Sequence, residues 1–203
     1  MIRIVTQYYT DGDATRQREI DFCLQSNLAH PAIEQVVIHL AKQDRPTFQQ
    51  LLRLARILSA PDDINIIANS DIYFDDTLVR CLGMKPNELY SLGRWDVSAN
   101  GPVLFDNDCA QDAWFFRGPP RDFPCEFCMG HPGCDNRLSW EAKKAGYDVY
   151  NPARTIRGLH VHASEIRHYC SRDRIRGEYL FVTPTELESN PQYDVLQTAT
   201  HSC

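Results

Sequence analysis

No apolar run in the 203 residues approaches the length needed to span a bilayer, so nothing reads as a transmembrane helix. Basic charge is not in excess either. A net charge of −6 gives no sign of a general nucleic-acid binder. There is no internal repeat and no low-complexity segment. Met1 leads directly into a strand-like IRIV with no signal-peptide pattern, so the expected location is cytoplasmic. Glycine is sparse where it would matter most. The loop after the first strand, QYYTDGDATRQR, holds a single glycine, which disfavours a glycine-rich phosphate cradle.

What is present fits a globular chain. Hydrophobic residues make up 43% and charged residues 24%, the usual balance of a soluble domain. The length suits one domain, assigned to residues 1–182, followed by a polar tail over 183–203. The eight cysteines do not look like a secreted disulfide framework, because a chain this long has core enough without one. Positive charge is uneven: Arg154, Arg157, Arg167, Arg172, Arg174 and Arg176 fall close together and could serve an anion locally.

The periodicity predicts β-α-β-α-β-α-β over the first half, from IRIVT to Leu89–Trp95. This pattern implies an α/β fold: a mostly parallel central sheet with helices on both faces. Residues 97–110 read as loop, Ala113–Phe116 as a short aromatic strand, and Asp135 to about Ala145 as a helix that Gly146 stops. Strands are expected at Tyr147–Tyr150 and Thr155–His162.

The stretch that organises the chain is INIIANSDIYFDD, Ile64 to Asp76. An isoleucine-rich strand ends in Asn69-Ser70-Asp71, and open α/β sheets put their chemistry at such carboxyl ends. Asp71 offers hard oxygen to Mg2+ or Mn2+, and Asn69 an amide oxygen; the same residues also suit a polar turn. Asp135 follows a Pro-Gly turn, where a carboxylate either caps the helix or acts as a general base. His160 and His162 share a strand face and are either metal or phosphate ligands or a hydrogen-bonded pair. Cys125, Cys128, His131 and Cys134 crowd one loop, as a structural Zn2+ site or as free thiols. Trp114 suits either a sugar face or the core.

Four segments in order resemble a compact glycosyltransferase of the GT-A, Rossmann-like fold: Thr6-Gln7-Tyr8-Tyr9, Asn69-Ser70-Asp71, Gly133-Cys134-Asp135-Asn136-Arg137 with the later AGYDVYNP, and LHVHAS. The resemblance covers about residues 1–180. It implies a metal-dependent hexosyl transfer from a nucleoside-diphosphate sugar, a UDP sugar in the first instance, with inversion. Asp135 is then the base, and Asp71, His162 and His160 hold Mn2+ or Mg2+. Thr6, Gln7, Tyr8, Arg18, Asn69, Ser70, Arg94, Asp112 and Arg172 are expected to contact the donor. The acceptor is a glycan by default, with a hydroxylated nucleic-acid base open. Two departures stand out: Asn69 replaces the first acid of the family's DxD motif, and Cys134-Asp135 leaves one carboxylate where two are common. A sugar nucleotidyltransferase and a non-catalytic zinc-binding module are the alternatives, and the single glycine after the first strand counts against the former.

Overall fold

The computed structural model describes residues 1–40, 45–187 and 193–196. Strand β1 (Ile2–Tyr8) leads into α1 (Ala14–Ala29), β2 (Gln35–Leu40) and α2 (Phe48–Leu58). Local chemistry starts both helices. The Asp13 carboxylate accepts from the Thr15 and Arg16 amides at the start of α1. Thr47 and Gln50 form a reciprocal capping box at the start of α2. β3 (Ile64–Ala68) is buried along its whole length, as a largely apolar central strand should be, and its one polar side chain, Asn65, is hydrogen-bonded by Arg3.

β4 (Ile72–Phe74) follows, then a 3-10 helix (Asp76–Gly83), β5 (Glu88–Leu92), β6 (Arg94–Ser98), β7 (Gly101–Leu104) and β8 (Ala113–Arg117). The chain ends with α3 (Cys134–Lys144), β9 (Asp148–Tyr150), β10 (Gly158–His160), a short 3-10 helix (Ser171–Asp173), β11 (Tyr179–Val182) and β12 (Tyr193–Leu196).

The main sheet has six strands in the order β2-β1-β3-β8-β5-β9. Its β1–β2, β1–β3 and β5–β9 pairs are parallel, whereas β8 runs antiparallel between β3 and β5. β2 and β3 flank β1 on opposite sides. Two crossovers of the same hand then place α1 and α2 on opposite faces and leave a crevice beyond the carboxyl ends of β1 and β3.

Strand alternation builds two cores. Val5, Ile67, Leu89, Trp114 and Phe116 meet α2 and α3 on one face. Ile4, Ile66, Tyr90 and Phe115 meet β4 and the longer 3-10 helix on the other. Helix α1 lies against β4, with Asn27 donating to the Ile72 carbonyl. Trp114 is fully buried, with its ring edge-on to Phe48 at 4.7 Å, so it is core and stacks on no sugar.

Three expectations change. The single strand expected over Leu89–Trp95 is broken at Gly93 into β5 and β6, which belong to different sheets. The Gly93 amide donates to Asn151 Oδ1 at 2.8 Å, and a Cβ there would approach Asn151 Nδ2 to 3.3 Å. The segment 97–110 is not all loop, because β7 pairs with β6 in a second sheet of order β4-β10-β6-β7. Finally, part of the expected tail is structured. The Thr185 amide bonds the Asn151 carbonyl, and Tyr193–Leu196 pairs with Tyr179–Val182. The rest of that segment, 188–192 and 197–203, lies outside the described residues.

Candidate functional site

The crevice is a cleft of about 630 Å³. Gln7, Asn69, Asp71, Arg94, Asp112 and Asp135 all line it. The antiparallel course of β8 matters here. Its first residue pairs with the last of β3, Ala113 with Ala68, so Asp112 arrives beside Asn69. Asn69 donates from Nδ2 to Asp112 Oδ1 at 2.7 Å, and Arg94 donates from Nη1 to Asp112 Oδ2 at 3.1 Å. Asp112 thus ties the end of β3 to the start of β6.

The second sheet places the histidines. β10 lies between β4 and β6, which sets His160 opposite Ile72 and Asp96. The Val161 amide donates to the Asp71 carbonyl at 3.0 Å. Asp71, His160 and His162 each offer a ligand atom within 4.8 Å of the others. The two imidazoles stack with centroids 5.3 Å apart. One carboxylate and two imidazoles make a donor set that suits Mn2+, Fe2+ or Zn2+. His162 Nδ1 lies 3.7 Å from Asp71 Oδ2, and its Nε2 is buried with no hydrogen-bond partner among the described residues.

Arg16, in the first turn of α1, reaches the same group. Its Nη2 donates to Asp71 Oδ2 at 2.7 Å, and its Nη1 lies 3.0 Å from Glu19 Oε2 and 2.8 Å from His162 Nδ1. Burial pushes the Asp71 carboxyl up, but hydrogen bonds from His160 and His162 and the charges of His160 and Arg16 win and hold it well below the usual carboxylate range. Burial lowers His160, and the carboxylates of Asp71 and Asp96 outweigh it, leaving the imidazole raised to about 9. Asp96 Oδ1 accepts from Arg94 Nε and sits on His160 Nδ1, each at 2.8 Å.

Asp135 faces the same cleft from α3. It is not the helix cap: Gly133 holds the N-cap position with φ 77°, and Asp135 lies in the first turn. The Asn136 amide donates to its Oδ1 at 3.0 Å and the Gln111 amide to its Oδ2 at 3.2 Å. Burial raises the Asp135 carboxyl to about 7, with the Asp112 charge adding to the effect and the two amides opposing it. The residue stays accessible from the cleft although protein surrounds it.

Strand and loop geometry sorts the other expected residues. Gln7, Asn69, Ser70, Arg94 and Asp112 line the cleft. Thr6 and Tyr8 do not, because β alternation sends them away from Gln7. Thr6 donates to the Ala68 carbonyl inside the sheet, and Tyr8 donates to Asp21. Arg18 is turned to Thr15 on the outer surface of α1, and Arg172 is exposed on the short 3-10 helix. Arg167 and Arg174 line the cleft instead.

Cys125, Cys128, His131 and Cys134 do not gather. Among the described residues, Asp71, His160 and His162 are the one group of three or more ligand side chains brought together. Cys125 and Cys134 are buried in the core with α2 and α3, where burial raises Cys125 to about 12 and also pushes the Cys134 thiol well up. Cys128 contacts the Arg45 carbonyl, and His131 lines the cleft. The loop is a packed corner in which these four side chains do not converge as a ligand set.

Sequence reasoning missed Arg16 and Arg45. Arg16 left a signal, since the Asp13 cap fixes it in the first turn of the helix that follows β1. Arg45 sits in a loop with no pattern to mark it. In comparisons with known proteins, the chain matches no protein-family model and no curated protein.

Proposed function

We propose that the protein is a metal-dependent glycosyltransferase that moves a sugar from a nucleoside-diphosphate sugar, a UDP sugar in the first instance, to an acceptor hydroxyl with inversion. One observation supports this reading above the others. A carboxyl raised to about 7, Asp135, shares a cleft with the metal-capable group Asp71, His160 and His162. Asp71, His160 and His162 would hold the divalent cation, which when bound neutralises the charge that develops on a departing diphosphate.

The chain's own residues account for the remaining needs. Asp135 is poised near neutral pH to accept the proton of an attacking hydroxyl at its carboxylate. The Gln111 and Asn136 amides fix the orientation of that carboxylate. Asp112, held by Asn69 and Arg94, offers a carboxylate edge for hydroxyls of the donor sugar.

A thermal-shift screen tests the reading, with UDP, GDP, CDP and their sugars, each with and without Mn2+. UDP with Mn2+ at a hundred times its Kd should add about 2.7 kcal/mol of stability. That corresponds to a rise of roughly 5–11 °C for a chain of this size. Stabilisation by iron(II) alone, with no response to any nucleotide, would overturn the proposal.

A further inference from the structure

The cleft lined by Asp71, Asp112 and Asp135 is lined also by Arg45, Arg167 and Arg174. Arg45 precedes α2 and is sewn to the loop before α3. The Met129 amide bonds the Pro46 carbonyl at 3.1 Å, Thr47 bridges to Cys128, and Arg45 Nη1 lies 3.4 Å from the Gly130 carbonyl. Gly130 has φ 78°, and a Cβ on it would fall 2.3 Å from Arg45 Nη1. The left-handed backbone there favours glycine, and the Arg45 guanidinium packs against it.

A strap over residues 164–175 lines one side of the cleft and is anchored at three points. The Ser164 amide donates to Glu19 at 2.7 Å, His168 Nε2 meets Asp11 at 2.6 Å, and the Ile175 amide bonds the Pro132 carbonyl at 3.0 Å. The strap turns Arg167 and Arg174 into the cleft, and neither has a hydrogen-bond or ion-pair partner for its side chain among the described residues. The acids nearby are engaged: Asp11 by His168, and Asp173 by the Cys170 amide at 2.7 Å.

These cations have a definite place along the cleft. Arg45 is tied to the Gly130 and His168 carbonyls, and Arg174 adjoins Ile175, which bonds Pro132; Gly130 and Pro132 lie just before Asp135. The metal-capable group lies instead with Arg16. A diphosphate held at Asp71 would leave Arg45 and Arg174 beside the base, where the acceptor enters.

We propose that Arg45 and Arg174 form a phosphate-binding wall on the acceptor side of the cleft, so that the acceptor carries a phosphate close to the hydroxyl that is modified. This inference rests on the glycosyltransferase reading. Guanidinium groups with no carboxylate partner bind phosphate through charge-assisted, often bidentate hydrogen bonds. An uncharged glycan would leave both cations without an anionic partner among the described residues. A net-acidic chain with a local basic wall would select such an acceptor by its phosphate without coating nucleic acid in general.

The test titrates two probes into the full chain saturated with UDP and Mn2+: glucose 6-phosphate, and a labelled short single-stranded oligothymidylate followed by anisotropy. At least one should bind. Binding of both identifies the phosphate group itself as the determinant, and binding of the oligonucleotide alone a polymeric acceptor. The double variant R45Q/R174Q should weaken the bound probe at least about tenfold, the loss expected from removing charge-assisted hydrogen bonds. R45K/R174K should restore part of that loss, and UDP affinity should stay constant in both variants.

Absence of binding by either probe, or unchanged binding in R45Q/R174Q, overturns the proposal. So does a loss of UDP affinity in R45Q/R174Q, which would give the arginines to the donor. If UDP fails to bind the unmodified chain, the glycosyltransferase reading falls, and with it the acceptor role. Arginine-dependent probe binding without nucleotide would then still identify the phosphate wall.

Discussion

Arg16 donates to the buried carboxylate of Asp71 at 2.7 Å, from the side where His160 and His162 also converge. A side-chain cation therefore occupies part of the field that a metal ion would take. Arg16→Gln leaves Asp71 and Glu19, both buried, without their common partner. Breaking such a pair costs about 3–5 kcal/mol. The variant should melt lower than the unmodified protein in EDTA and gain more from Mn2+. Equal gains from Mn2+ in the two proteins would show that Arg16 does not compete for the site.

His160 gives the site a pH dependence whose sign follows from its raised value. Folded His160 titrates at about 9 against an ordinary 6.5. Its contribution to stability is therefore complete below about pH 6.5 and is lost as pH rises through about 9. His160→Asn should flatten the fall in melting temperature over that window. Because a ligating imidazole must be neutral, Mn2+ binding at pH 7.5 should release protons, detectable by calorimetry in buffers of different ionisation enthalpy. Proton-neutral binding would exclude His160 as a ligand.

For Asp135 the sign is opposite to that of an ordinary paired carboxylate. The folded group titrates near 7 and the unfolded one near 3.8, so the folded state holds the extra proton between them. Stability from this residue falls as pH rises across that interval. Asp135→Asn should consequently be more stable than the unmodified protein at pH 8 and no more stable at pH 4. It should also abolish transfer while leaving Mn2+-dependent UDP binding within about twofold, because a base acts on the chemical step. Unchanged turnover would remove Asp135 from that role.

Much of this arrangement was legible in the sequence, and the reasons differ by residue. Periodicity marked α1, α2 and β3, because each buries apolar residues on one face or along its whole length, although the Asp13 and Thr47 caps emerge only in the structure. Asp71, His160 and His162 could be grouped because each stands at or near a strand end, where topology concentrates side chains. The antiparallel course of β8 and the split at Gly93 could not be read, since both depend on partners distant in sequence. Thr6 and Tyr8 were placed with Gln7 by proximity, and strand alternation separates them. The cysteine loop misled because spacing alone says nothing of burial, and burial sends Cys125 and Cys134 into the core.

That burial makes a further claim testable. Cys128→Ser should change the melting temperature by no more than about 2 °C, the scale of a substitution within 0.5 kcal/mol. Metal analysis after dialysis against a chelator should show no zinc lost in step with unfolding. A sharp destabilisation by Cys128→Ser, reproduced by chelator, would restore the zinc centre at Cys125, Cys128, His131 and Cys134.

Asp96 is the residue whose part in the site is indirect. Its Oδ1 lies 2.8 Å from His160 Nδ1, and the same oxygen accepts from Arg94 Nε at 2.8 Å. The hydrogen bond to His160 is the leading cause that lowers Asp96 to about 2, with the Arg94 charge adding to it. An ionised carboxylate at Nδ1 keeps the proton there and leaves Nε2 free to face Asp71, 3.4 Å away. Asp96→Asn preserves the shape but removes the charge, and its amide can present either an oxygen or an N–H group to Nδ1. Metal affinity should fall about 10–100-fold, the usual effect of losing such a partner. Nucleotide binding without metal should not change, since Asp96 touches His160 and Arg94 rather than the body of the cleft. The measurement is a Mn2+ titration followed by water-proton relaxation, with Asp112→Asn as the control for a general disturbance of Arg94. Equal losses of metal affinity in the two variants would show that Asp96 acts through Arg94. A loss confined to Asp96→Asn would assign it to the orientation of His160.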